Sequence, residues 1–267
     1  MRLLSPFFLL LFSGLTVAQT NLDPLFTSFD GTQIHYEVVG EGKPVVLLHG
    51  FIVNGESWKR SPARQMLVDA GFKVVTLDLR GNGRSDKPHT LAAYENDAEA
   101  RDVMGLMKQL ALTNYDVVGY SRGAIITARL LELDKQVRRA VMGGMGADFT
   151  DPNWPRHLQF TAVFQGQAHR YPQYAGAVEY ARKSGADTLA LGLIQQAQPA
   201  TSRQVLGRVR QPVLVISGDA DTDNGRADDL AELLPNSTLV TVPGATHNDT
   251  MSKPAFGEAI VKFLSVQ

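Results

Sequence analysis

Cysteine is absent from this 267-residue chain. Disulfides, thiol nucleophiles, thiolate metal sites and lipid attachment at cysteine are thereby excluded. A surplus of charge is missing too: 26 Lys and Arg face 27 Asp and Glu, for a formal net charge of -1. No basic run is long enough to suggest nucleic acid as a partner. No apolar run reaches the roughly 20 residues of a membrane-spanning helix, so stable membrane insertion is not expected. Repeats and low-complexity tracts are missing. Histidines and carboxylates at metal-ligand spacing are missing as well, so no metal and no organic cofactor is implied.

What remains is an ordinary globular composition, 44% hydrophobic and 20% charged, with length for one large domain and a sizeable core. The first residues stand apart. Arg2 precedes an apolar run from Phe7 to Phe12, Gly14 breaks it, and Thr16-Val17-Ala18 supplies small residues at cleavage-site spacing. This is the pattern of a signal peptide over residues 1–18, and it predicts a periplasmic or secreted protein cut after Ala18. The sequon Asn248-Asp249-Thr250 adjoins His247. A glycan there would crowd that histidine in a eukaryotic secretory pathway, so a bacterial source is expected.

Beyond the leader, short β-branched runs alternate with helical stretches. Strands are expected at Leu25 to Phe29, Thr32 to Val39, Pro44 to Leu48, Lys73 to Leu77, Tyr115 to Gly119, Val137 to Met142, Pro212 to Ser217 and Thr238 to Val242. Helices are expected at Ser57 to Ala70, Glu95 to Leu112, Arg122 to Leu133, Ala227 to Leu234 and Pro254 to Leu264. Such alternation predicts an α/β fold with a mainly parallel eight-stranded sheet. The runs Val45-Val46-Leu47-Leu48 and Val213-Leu214-Val215-Ile216 are apolar on both faces, which requires helices on both sides of the sheet. Residues 148–210 break the rhythm. They hold no clear strand but carry Trp154, Phe160, Phe164, Tyr171, Tyr174 and Tyr180. They are read as a small helical cap insertion in a core of residues 19–147 and 211–267.

The sharpest chemical signal is Gly119-Tyr120-Ser121-Arg122-Gly123. It follows an apolar strand and precedes a helix, the context in which a G-x-S-x-G turn presents its serine as a nucleophile. A serine hydroxyl needs a base. Among six histidines, His247 follows the last strand and would reach the sheet's C-terminal edge. His49 ends a strand and is read as holding its loop, and His35 as structural. The base needs an acid: Asp219 and Asp221 both follow the strand ending at Ser217. For an oxyanion hole, the backbone N–H groups of Arg122 and Phe51 are the candidates.

These motifs together resemble α/β-hydrolases of the compact esterase, haloperoxidase-like type, over about Leu25 to Gln267. The matching segments are His49-Gly50-Phe51, Asp78-Leu79-Arg80-Gly81-Asn82-Gly83-Arg84-Ser85-Asp86, Gly119 to Gly123, and Gly218-x-x-Asp221 followed by His247. The resemblance implies a Ser121–Asp221–His247 triad, since the family's acid matches Asp221 rather than Asp219, and it implies a structural role for residues 78–86. Ser121 argues against haloalkane dehalogenases and epoxide hydrolases, which carry Asp at that position. Arg122 departs from the frequent Met or Gln; it either places a cation near the pocket or forms a surface ion pair, and the surface pair is the preferred reading. Ala245-Thr246 departs from the frequent Gly-Gly or Gly-His.

The expected activity is hydrolysis of carboxylic esters of small to medium, largely apolar substrates through an acyl-enzyme. Lactone opening, perhydrolysis, amide hydrolysis or C–C bond hydrolysis would use the same triad, and a ligand-binding relative without catalysis is the reading from another class. The partner is a small-molecule substrate. The cap aromatics, with Phe51, Trp58 and Met145, are expected to line its pocket.

Overall fold

The computed structural model describes residues 24–266; the leader at residues 1–18 lies outside them. Among these described residues eight strands form one sheet: β1 Leu25–Thr27, β2 Gln33–Val39, β3 Lys43–Leu48, β4 Phe72–Leu77, β5 Tyr115–Tyr120, β6 Val137–Gly143, β7 Val213–Gly218 and β8 Ser237–Val242. Their spatial order is β1-β2-β4-β3-β5-β6-β7-β8. The first two strands pair antiparallel and β3 to β8 run parallel. The loops after β3, β5, β6, β7 and β8 therefore open at one edge of the sheet, where α/β proteins bind ligands.

Among the described residues ten α-helices accompany the sheet: α1 Glu56–Arg60, α2 Pro62–Asp69, α3 Ala98–Gln109, α4 Arg122–Leu133, α5 Pro155–Ala162, α6 Ala175–Lys183, α7 Thr188–Gln196, α8 Arg203–Leu206, α9 Ala227–Leu233 and α10 Pro254–Ser265. Alternate strand residues enter separate cores. Val46, Leu48, Val213 and Val215 pack with α3, α4, α8 and α9. Val45, Leu47, Leu214 and Ile216 pack with α1, α2 and α10. Each such side chain contributes about 1.5–3 kcal/mol on full burial, which is why these strands are apolar throughout. No helix among the described residues is long and apolar enough to cross a membrane.

Two expected helices differ. The stretch 57–70 is two helices, because Pro62 drives Ser61 into an extended conformation (φ -81°, ψ 131°). Ser61 then caps α2 by accepting from the Ala63 N–H at 3.4 Å. Helix α3 starts at Ala98 rather than Glu95, because Asn96 and Asp97 take positive φ values of 54° and 59°.

Between β6 and β7 the chain is helical, with no strand among the described residues. Phe164, Val178, Ala181, Leu191 and Ile194 form a third core, joined by Tyr94 and by Phe51 from the loop after β3. Trp154, Leu206 and Val209, from the two ends of this stretch, pack instead into the core beneath α4.

Candidate active site

The turn after β5 is dictated by sterics. A Cβ on Gly119 would lie 2.1 Å from the Gly123 carbonyl oxygen, and one on Gly123 would lie 2.2 Å from the Leu48 oxygen. Only glycine permits that approach. Ser121 between them adopts φ 55° and ψ -119°, a conformation costing a non-glycine residue about 1–3 kcal/mol. It is held by its N–H to the Gly143 oxygen at 2.8 Å and by the Ala124 N–H to its own oxygen at 2.9 Å.

His247 Nε2 lies 3.0 Å from the Ser121 hydroxyl, and its Nδ1 lies 2.9 Å from Asp221 Oδ2. Asp219 is exposed and accepts from the Ala245 N–H instead. Burial alone would raise the Asp221 carboxyl. The hydrogen bond and charge of His247, with the Asp223 N–H and the Ser217 hydroxyl, hold it below the ordinary range. The three side chains thus form a continuous relay, with Ser121 and His247 partly exposed.

The two oxyanion candidates come to the same turn. Gly50 packs against Ser121, with a notional Cβ 3.5 Å from the serine Cβ. Neither the Phe51 nor the Arg122 N–H donates to another group among the described residues. His49 is fully buried, and both of its nitrogens are spent: Nδ1–H donates to the Gly50 oxygen at 2.7 Å, and Nε2 accepts from the Leu79 N–H at 2.9 Å. Those backbone partners assign the tautomer. Burial holds its pKa below the usual histidine value, so the ring is neutral. The Gly50 carbonyl and the Phe51 N–H belong to one peptide plane and point in opposite directions. By gripping the carbonyl, His49 aims the N–H.

Residues 78–86 brace the same loop. Asn82 Nδ2 donates to the Phe51 oxygen at 2.9 Å, and Asp78 Oδ1 accepts from the Gly55 N–H at 2.7 Å. Arg80 is wholly buried and binds Asp102 at 2.6 and 2.7 Å and Asp30 at 2.8 Å.

Three expected placements are corrected. Trp58 is fully buried and stacks on Phe256 among α1, α2 and α10 (centroids 6.3 Å apart), so its large apolar ring serves the core and not a pocket wall. Met145, 3% exposed, packs into the opposite core. Arg122 is 4% exposed and pairs with Glu99, 5% exposed, through two hydrogen bonds. That pair is buried rather than on the surface, because α4 begins under the cap, where Gln198 also meets the guanidinium at 3.5 Å. Phe51 does meet the cap aromatics, edge-on to Phe164 at 5.1 Å and Phe160 at 6.3 Å.

A family model described as the alpha/beta hydrolase family matches residues 45–256. The chain belongs to that family. Among relatives of this hydrolase is the non-heme chloroperoxidase of Streptomyces lividans, 29% identical over 85% of this chain and 94% of that one. Among solved structures, an esterase from Exiguobacterium antarcticum superposes with a TM-score of 0.78 at 22% identity, covering 92% and 100% of the two chains. A bromoperoxidase from Bacillus anthracis gives 0.73 at 27% identity, covering 88% and 96%.

Two residues at the hydrolase site escaped the sequence reading. Tyr120 donates its hydroxyl to the His247 carbonyl at 2.7 Å, and its ring lies 5.2 Å from the imidazole. Asn224 places Nδ2 3.4 Å from both His247 ring nitrogens, so its amide lies over the ring face; it also donates to the Gly144 oxygen at 3.0 Å. Tyr120 occupies a variable position of the serine motif, and Asn224 lies in a polar loop. Neither residue type announces its role without the fold.

Proposed function

We propose that this protein is a serine hydrolase that cleaves carboxylic esters of small to medium, largely apolar substrates through an acyl-enzyme. The observation that carries the reading is the Ser121–His247–Asp221 relay, at 3.0 and 2.9 Å, beside two unspent backbone donors. Ser121 attacks the ester carbonyl as His247 Nε2 takes its proton, and Asp221 stabilises the imidazolium. The Phe51 and Arg122 amides receive the oxyanion, each worth about 2.7–4 kcal/mol to the transition state. His247 then protonates the departing alcohol, and water, deprotonated by His247, releases the acid. Phe51, Phe160 and Phe164 supply apolar surface for the acyl chain.

A fluorophosphonate should label Ser121 alone, and Ser121→Ala should lower ester turnover by several orders of magnitude with the fold intact. Labelling that persists in the variant would sink the assignment. Across p-nitrophenyl esters, kcat/KM should climb with chain length and then fall, at about 0.8 kcal/mol per accommodated methylene. A flat profile, or an optimum at long chains, removes the small-pocket reading.

A second reading is supported by the chloroperoxidase relative. Hydrogen peroxide in place of water would release a peracid from the same acyl-enzyme, and peracid formation from an ester plus peroxide tests it. Export with cleavage after Ala18 is part of the proposal, and N-terminal sequencing of the mature protein checks it.

A further inference from the structure

Arginines in this protein usually meet a carboxylate when they leave solvent. Arg80 has Asp30 and Asp102, Arg122 has Glu99, Arg129 has Asp97 and Glu132, and Arg138 has Asp116. Arg156, in the first turn of α5, is partly buried and forms no ion pair among the described residues. Its Nε donates to Asn224 Oδ1 at 3.1 Å, and its guanidinium lies 4.3 Å from the Phe160 ring centroid and 5.6 Å from that of Tyr174.

These contacts locate the charge. Asn224 lies over the His247 ring, and Phe160 packs edge-on to Phe51, whose N–H is an oxyanion donor. The guanidinium is therefore bracketed by groups that touch the two ends of the reactive centre. Rings beneath it and an amide beside it hold it in one orientation, so little rotamer freedom is lost when a ligand binds. The cation is also incompletely compensated: burial pulls its pKa down, and Asp223, Tyr174 and Asp221 only partly offset that effect. The Asp221 charge is itself engaged by His247.

We propose that Arg156 receives a carboxylate of the substrate, so that the preferred esters are small ones with an apolar spacer ending in a carboxylate. A guanidinium matches a carboxylate with two parallel hydrogen bonds. A phosphate dianion is the poorer fit, because a single guanidinium whose charge is already partly offset cannot neutralise two further charges. The proposal rests on the ester-hydrolase reading for its kinetic test but not for its binding test.

The kinetic test compares p-nitrophenyl monoglutarate with p-nitrophenyl hexanoate. Wild type should favour the charged ester. Arg156→Gln should lower kcat/KM for the monoglutarate about tenfold to hundredfold more than for the hexanoate, mainly through KM. Arg156→Lys, which keeps the charge but loses the fork, should fall between. The binding test is calorimetry of glutarate with Ser121→Ala protein, in which Arg156→Gln should abolish the heat. No wild-type preference for the charged ester, or equal losses on both esters, would overturn the proposal; equal losses would make Arg156 a support for Asn224 and His247. If neither ester is turned over and fluorophosphonate leaves Ser121 unlabelled, the ester reading fails, while glutarate binding that depends on Arg156 still upholds the carboxylate site.

Discussion

The two sides of the active site are built by different means. On the sheet side, backbone meets backbone: added Cβ atoms at Gly119, Gly123 and Gly218 would lie 2.0–2.2 Å from carbonyl oxygens. Ser121 is held in a strained conformation, and His49 spends both nitrogens on the main chain. On the cap side, short helices are joined by single turns, and Gly166, Gly176 and Gly185 would meet nothing within 4 Å. Contacts between side chains are prominent there, as in Phe160 with Tyr174 at 4.6 Å and Arg156 with Asn224, although His157 also meets the Gln195 carbonyl at 2.7 Å. Chemistry that tolerates little displacement sits on the rigid side. Under the proposed function the adaptable side would face the variable part of a substrate, where a changed side chain alters preference without dismantling the reaction.

This contrast breaks if the sheet side tolerates change. Asp221→Asn should lower kcat about 10⁴-fold by leaving His247 in the wrong tautomer. Asp219→Asn, which touches only the Ala245 N–H, should cost under about tenfold, since no catalytic partner is lost. Ester kinetics on the two variants decide it, and the reverse ranking transfers the role to Asp219.

Asn82→Ala tests whether support one residue removed matters equally. It frees the Phe51 carbonyl but leaves the N–H in place, so kcat should fall less than the roughly 10²–10³ seen when an oxyanion donor is removed outright. A value near tenfold, with KM little changed, is expected. An unaltered kcat would show that His49 alone suffices to aim the peptide.

The pH dependence of stability sharpens the comparison. His49 on the sheet side and His157 in the cap both have pKa values lowered by burial from the ordinary 6.5. The unfolded chain then binds protons that the native state refuses. The stability of the neutral rings is fully present above pH 6.5 and is lost as pH falls toward the native values. The urea midpoint should drop between pH 7.5 and 5.5, and His157→Gln should leave most of that drop in place, because His49 is the more completely enclosed. A drop that disappears in His157→Gln would place the more rigid site in the cap.

The smallest effect belongs to Gly176→Ala in α6. With open space around it and no positive φ, the substitution should stabilise the protein by about 0.4–1 kcal/mol, seen as a raised Tm. Destabilisation would mean that the cap is as tightly determined as the sheet edge.

Much of this was legible in one dimension. Strands buried on both faces must be apolar at every position, and helices carry a 3.6-residue stripe, so the alternation and all eight strands could be read from pattern alone. The serine turn was legible because its glycines are demanded by sterics that involve only neighbouring residues and one strand. Proline at position 62 carried a local signal too, and it ended a helix that periodicity alone would have run through.

Tertiary structure decided what depends on partners distant in sequence. Trp58 and Met145 look like pocket aromatics and thioethers by type, yet which face of the sheet covers them is a matter of packing. Arg122 has a surface-like residue type but is buried because the cap folds over α4. Asn224 and Arg156 lie 68 positions apart and meet above His247 only in the fold. A sequence records what each residue requires of its neighbours along the chain; whether a partly buried guanidinium meets a carboxylate is set only when the chain has closed on itself.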